Sequence, residues 1–98
     1  ESKDKRALHP LLEALMTGDT ELRGGAALAL GELKDKEAVS PLIDTFSSDP
    51  EPMVRKRAVR AIGEIGDKSA LTYLASRLEK EQEEPVKRTI SWVIKELQ

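Results

Sequence analysis

Apolar residues recur along this chain at helical spacing. One set runs Leu22, Ala26, Ala29, Leu30 and Leu33; a second runs Val54, Ala58, Ala61, Ile62 and Ile65; a third runs Val86, Ile90, Val93, Ile94 and Leu97. Residues three, four and seven apart line one face of a helix, so each set predicts an amphipathic helix. Shorter sets lie before and between them: Leu8, Leu11, Leu12 and Leu15; Val39, Leu42, Ile43 and Phe46; Leu71, Leu74 and Leu78. No segment alternates polar and apolar with period two, so no strand is expected. The pattern predicts six helices, over residues 5–16, 20–33, 37–47, 52–65, 69–81 and 85–97.

The helices repeat. The segment LRGGAALALGELKDKEAVSPLIDTF from Leu22 and the segment VRKRAVRAIGEIGDKSALTYLASRL from Val54 start 32 positions apart. At that offset Arg23 meets Arg55, Ala26 meets Ala58, Gly31 meets Gly63, Glu32 meets Glu64, Asp35 meets Asp67 and Leu42 meets Leu74. VKRTISWVIKELQ from Val86 continues the series, and ALHPLLEAL from Ala7 matches AVSPLIDTF from Ala38. The expected organisation is a single domain over 1–98: a half repeat at 5–16, repeats at 17–48 and 49–81, and a half repeat at 82–98. One helix pair of this size cannot bury both of its stripes alone, whereas stacked pairs share one core. Asp35 and Asp67 stand where they can cap second helices. Pro10 and Pro41 lie near second-helix starts, and Asp49-Pro50-Glu51-Pro52 and Pro85 open first helices. Gly31 and Gly63 weaken a helix interior by roughly 1 kcal/mol each against Ala. Their shared register implies a tight crossing or a last helical turn.

Composition narrows the function classes. The 98 residues suffice for one domain, and 3% aromatics leave an aliphatic core. Charged residues make up 35%, yet the net charge is −2, which argues against nucleic acid or an anionic membrane as partner. The absence of cysteine excludes disulfides and thiolate metal sites. No apolar run reaches the ~20 residues that span a bilayer, and no signal peptide is visible. The chain opens at Glu1 without Met, as an excised or trimmed segment does.

The string Asp49-Pro50-Glu51-Pro52-Met53-Val54-Arg55, followed by Ala58, Ala61-Ile62-Gly63, Ile65-Gly66-Asp67 and Ala70-Leu71, resembles the HEAT-like repeats of the phycobilisome bilin lyase type. The copy from Leu22-Arg23 through Ala29-Leu30-Gly31 to Asp35 and Ala38-Val39-Ser40-Pro41-Leu42 is similar to it. The resemblance implies an all-α, right-handed α-solenoid (α-α superhelix) and leaves activity open, since the module serves many functions. A similar fold, that of deoxyhypusine hydroxylase, holds iron with His-Glu pairs just after the Val-Arg of its repeats. The matching positions here are Gly24-Gly25, Lys56-Arg57 and Arg88-Thr89, which rejects that activity.

Candidates for chemistry are few. His9 is the only histidine, and Glu13 one turn away gives at most a second ligand, so no metal, cofactor or catalytic site is assigned. Gly24-Gly25 lies inside a predicted helix and is no phosphate loop. Arg55, Lys56, Arg57 and Arg60, with Lys87 and Arg88, form a basic first-helix surface that can follow a phosphate backbone, though a solvated face is the favoured reading. The second-helix face varies between repeats on a constant scaffold: His9 and Glu13, then Ser40 and Asp44, then Tyr73, Ser76 and Arg77. Tyr73 and Arg77 are types enriched in binding hot spots and are the first choice for a partner site. Trp92 either covers the end of the array or makes an end-to-end contact in a homodimer through exposed terminal repeats.

These features predict a cytoplasmic, non-catalytic scaffold for another protein, with no cofactor. An accessory subunit or fragment of a bilin lyase-like protein is the alternative, and a nucleic-acid backbone binder ranks below both. Arg23, Arg55 and Lys87 share one register, and Asp35 and Asp67 another. A repeated pair belongs to the architecture, so an internal ladder joining turn to helix is expected. Arg55→Ala should lower the melting temperature, and an unchanged melting curve would remove the ladder.

Overall fold

Six α-helices form where the apolar spacing places them. The computed structural model describes residues 5–98, and residues 1–4 of the predicted domain lie outside them. The helices are α1 (Leu8–Thr17), α2 (Thr20–Leu33), α3 (Val39–Ser48), α4 (Pro52–Ile65), α5 (Leu71–Leu78) and α6 (Glu84–Leu97), with no strand among the described residues. Helices α2, α4 and α6 are the first-type helices, and α1, α3 and α5 the second-type. Each second helix is entered through a 3-10 turn, at Lys5–Ala7, Lys36–Ala38 and Lys68–Ala70. Asp35 accepts from the Glu37 N–H at 2.9 Å and Asp67 from the Ser69 N–H at 3.0 Å. These bonds tighten the turn, so α3 and α5 begin two residues later than the spacing predicts. They also hold both carboxyls below the ordinary carboxylate range.

The first helices form one closely packed layer, α2 against α4 and α4 against α6, with α1, α3 and α5 laid on it. The Cα envelope is 16 Å in its thin direction, which fits two helix layers at roughly 8–10 Å between axes. The recurring glycines set the close approach. A Cβ on Gly31 would stand 3.0 Å from Ala61 Cα, and one on Gly63 would stand 2.9 Å from Val93 Cγ2. Both readings of these glycines hold: each lies in the last turn of its helix and at a tight crossing. The second layer is spaced by long side chains instead: Phe46 on α3 meets the edge of Tyr73 on α5, with ring centroids 6.2 Å apart.

The core differs from the predicted stripes at several positions, among them Ala38 and Ala70, which close the 3-10 turns and are buried. Ala27 and Val59, which share a register, are fully buried because α2 and α4 each have neighbours on several sides. Leu22 is 53% exposed, while its counterparts Val54 and Val86 are buried. Nine residues are about two and a half helical turns, so this register points away from the glycine and toward the preceding first helix. No first helix precedes α2 among the described residues.

An arginine–carboxylate clamp joins successive repeats, with different acids from those the repeat alignment suggested. Arg23 Nε and Nη2 donate to Asp49 at 2.7 and 3.0 Å, and Nη1 donates to the Gly18 carbonyl at 3.0 Å. One repeat on, Arg55 Nε and Nη2 donate to Glu81 at 3.2 and 2.9 Å, and Nη1 donates to the Asp49 carbonyl at 2.9 Å. Both carboxylates also accept a backbone N–H, from Glu51 and Glu83 respectively, at 3.0 Å. The expected partners Asp35 and Asp67 are occupied by their own turns. The clamp also explains why α5 stops at Leu78 and not at 81. The Arg77 carbonyl takes the N–H groups of both Lys80 and Glu81, and the chain turns to aim Glu81 inward. Burial alone would raise the Asp49 and Glu81 carboxyls, but the arginine hydrogen bonds and the backbone donors outweigh it and hold both below their ordinary values.

Helix ends carry a contrast between the repeats. Gly66 ends α4 with φ 80°, and Lys34 ends α2 in the same left-handed region with φ 57°. A side chain there is disfavoured by roughly 1 kcal/mol. Lys34→Gly should raise stability by about 0.5–1 kcal/mol, read as a higher denaturation midpoint, despite loss of the Lys34 Nζ bond to the Glu64 carbonyl. Removing one partner of a buried ion pair costs about 3–5 kcal/mol. The Arg55–Glu81 side chains keep 15% and 5% of their exposure. Arg55→Ala should therefore cost about 2 kcal/mol, a melting temperature lower by roughly 10 °C. Because the folded state lowers the Asp49 and Glu81 pKa values, their contribution is complete above the ordinary values of 3.8 and 4.5 and is lost as pH falls through the depressed ones. Thermal melts on the acid side of pH 4.5 should show a shallower loss of stability for Glu81→Gln than for the parent chain.

Candidate functional site

The two faces of the slab differ in what their side chains are free to do. On the second-helix face, Tyr73 is half-buried and its hydroxyl is hydrogen-bonded to Ser47 Oγ. The Arg77 guanidinium lies over the Phe46 ring at 5.8 Å from the centroid, a cation–π contact that braces α5 against α3. Ser76 Oγ donates to the Tyr73 carbonyl at 2.7 Å. The structure thus brings Tyr73, Ser76 and Arg77 together and engages them within the chain. Ser40 and Asp44 are exposed on α3 and line a shallow hollow with Met16 and Pro50. His9 and Glu13 are exposed on α1. The described residues hold no group of three or more His, Cys, Asp or Glu that could bind a metal.

The first-helix face is built as rows. Residues 32 apart stand side by side on α2, α4 and α6, and the tight glycine crossings keep them level. One row is Gly24, Lys56 and Arg88; the next is Gly25, Arg57 and Thr89; a third is Leu28, Arg60 and Trp92. Together Leu28, Lys56, Arg57, Arg60, Arg88, Thr89 and Trp92 line a cleft of about 600 Å3. That volume falls within the roughly 300–1,000 Å3 of small-ligand sites. The glycines at the α2 end leave it low, while α4 and α6 raise four cationic side chains around it. Arg60 Nε approaches Glu64 Oε2 at 3.7 Å, and Lys56, Arg57 and Arg88 make no ion pair among the described residues. Trp92 is 52% exposed and Leu28 39% exposed, so the cleft is basic with an apolar rim.

Two of the six cations grouped by sequence leave this surface. Arg55 turns inward to its clamp, and Lys87 Nζ pairs with Glu84 Oε2 at 3.4 Å. Leu28 and Thr89 join it, a membership visible only when the third and second rows are read across all three first helices.

Paired helices stacked with this repeat define an α-solenoid. The sequence pattern of HEAT repeats matches residues 8–95, and the chain belongs to the HEAT repeat family. No curated protein matches it. Among solved structures, the chain is similar to selenomethionine-labelled epoxyqueuosine reductase, with 38% identity and a TM-score of 0.75 over 79% of this chain and 20% of that one. It is similar also to epoxyqueuosine reductase with a tRNA-Tyr epoxyqueuosine-modified tRNA stem loop, at 38% identity and a TM-score of 0.74 over 78% of this chain and 20% of that one. The chain spans about a fifth of the reductase chains it matches.

These likenesses overturn three expectations. The matched proteins are an enzyme, against the reading of a non-catalytic protein scaffold and its bilin lyase-like alternative. One of them holds a tRNA stem loop, against the exclusion of nucleic acid and the expectation of a protein partner. The physical error lay in using net charge. At physiological salt, charges more than about 8 Å apart are largely screened, so a cleft of four cations acts locally whatever the far acids sum to. Among the described residues no helix is long and apolar enough to cross a membrane.

Proposed function

We propose that this chain is the HEAT-repeat, RNA-binding module of a tRNA-modifying enzyme of the epoxyqueuosine reductase kind. The observation that carries the proposal is the conjunction of 38% identity to that reductase with a basic cleft on the first-helix layer, three of whose four cations make no ion pair among the described residues. In this reading Lys56, Arg57, Arg60 and Arg88 contact phosphates, and the rest of the enzyme supplies the reductase chemistry. A fold built on glycine crossings offers these cations without ordering a loop, so little entropy is lost on binding. Charge neutralisation releases counterions, which makes such binding salt-dependent and strong relative to the few contacts involved. A tRNA partner makes the cytoplasm the working compartment. The likeness of the repeat strings to bilin lyase-type HEAT repeats supports the repeat type and carries no bilin chemistry.

Titration of a labelled tRNA stem loop, followed by fluorescence anisotropy over a range of salt, tests this reading. Lys56→Glu combined with Arg60→Glu should weaken binding at least tenfold. It should also flatten the plot of log affinity against log salt by about 0.7–0.9 per lost phosphate contact. Asp44→Ala on the opposite face should leave both unchanged. Equal affinity and slope for the charge-reversed and parent chains would refute the assignment.

A further inference from the structure

Trp92 is not needed for phosphate contacts, and its placement asks for another explanation. The chain has three aromatic residues, one each of Phe, Tyr and Trp. Phe46 and Tyr73 are engaged with each other between α3 and α5. Trp92 alone is more than half exposed, and it lies on the wall of the cleft that Lys56, Arg57, Arg60 and Arg88 make basic. Its counterparts on the neighbouring first helices are Arg60 and Leu28, so the indole ends a row whose middle member is a cation. An exposed indole is stabilised when its apolar face is covered, and a flat partner matches that face best. A nucleobase is such a partner, and its phosphate would then fall among the adjacent guanidinium and ammonium groups. Bases within a duplex are already stacked and present only edges, whereas an unpaired base offers its face. Cations that track a backbone beside an aromatic platform are the pattern of single-strand recognition.

We infer that the first-helix cleft takes an unpaired nucleotide, stacking its base on Trp92 and holding its phosphate between Arg60 and Arg88, so that the module selects looped over fully duplexed RNA. This deepens the RNA-binding reading above and rests on it.

Trp92 is the sole tryptophan, so intrinsic indole fluorescence reports this position alone. The experiment titrates the 98-residue chain with three RNAs of equal phosphate number: a stem loop, the same stem loop with abasic loop positions, and a blunt duplex. The stem loop should quench the indole and bind about tenfold tighter than either of the others, the scale of one stacked base. Trp92→Ala, with helicity confirmed by circular dichroism, should lose that preference while keeping salt-dependent binding to all three. Trp92→Phe should retain part of it. Equal affinity of the parent chain for the three RNAs, or a Trp92→Ala chain that still prefers the loop, would overturn the stacking site and leave the backbone reading standing. Binding to none of them would overturn both.

Discussion

The close approach of the three first helices governs the rest of this structure. Where Gly31 faces Ala61 and Gly63 receives the Val93 side chain, the glycine contributes no side chain of its own, and α2, α4 and α6 pack closely. That contact cannot slide by one residue without driving a side chain into the neighbouring backbone. It therefore fixes rotation as well as distance, and residues 32 apart end in level rows. The core follows on one side of the layer, where Ala27, Val59, Ile62 and Ile90 are fully buried. The basic cleft follows on the other. A helix interior glycine that is unfavourable for α2 or α4 alone is thus recovered through packing between them.

The arginine clamps serve a different purpose from the apolar layer. Arg55 reaches back to the Asp49 carbonyl and forward to the Glu81 carboxylate, tying three segments of chain at one guanidinium. Burial and charge pairing oppose each other there, as they do in any partly dry ion pair. Its geometry is bidentate and each acid has a backbone donor as well, which is the condition under which such a pair holds. The net effect is to fix where each inter-repeat turn sits, and so to set the entry angle of the next first helix.

Much of this was legible in the residues. Period 3.6 gave the six helices, and the 32-residue offset gave the stacking and the register of Gly31 with Gly63. Helix starts at α3 and α5 were misplaced because a side-chain cap and a 3-10 turn leave no mark in hydrophobic spacing. The clamp acids are hidden in the repeat alignment because Asp49 and Glu81 differ in type, whereas Asp35 and Asp67 are identical. The cleft was half seen. Its cations group on two first helices in the sequence, where they look like a solvated face, and its shape appears only across three. Tyr73 and Arg77 illustrate the reverse case: residue types suited to a partner surface can be engaged by Phe46 of the same chain.

The two layers of the slab are spaced by different materials, glycine backbone against Ala61 and Val93 in the first and Phe46, Tyr73 and Arg77 in the second. A bar made of a stiff ply and a compliant ply bends about the stiff one. Thermal flexing of this stack would accordingly open and close the gaps between α1, α3 and α5 while the spacing of α2, α4 and α6 stays nearly constant. The basic cleft then lies close to the neutral axis, and its cations keep their separations while the molecule deforms around whatever it holds.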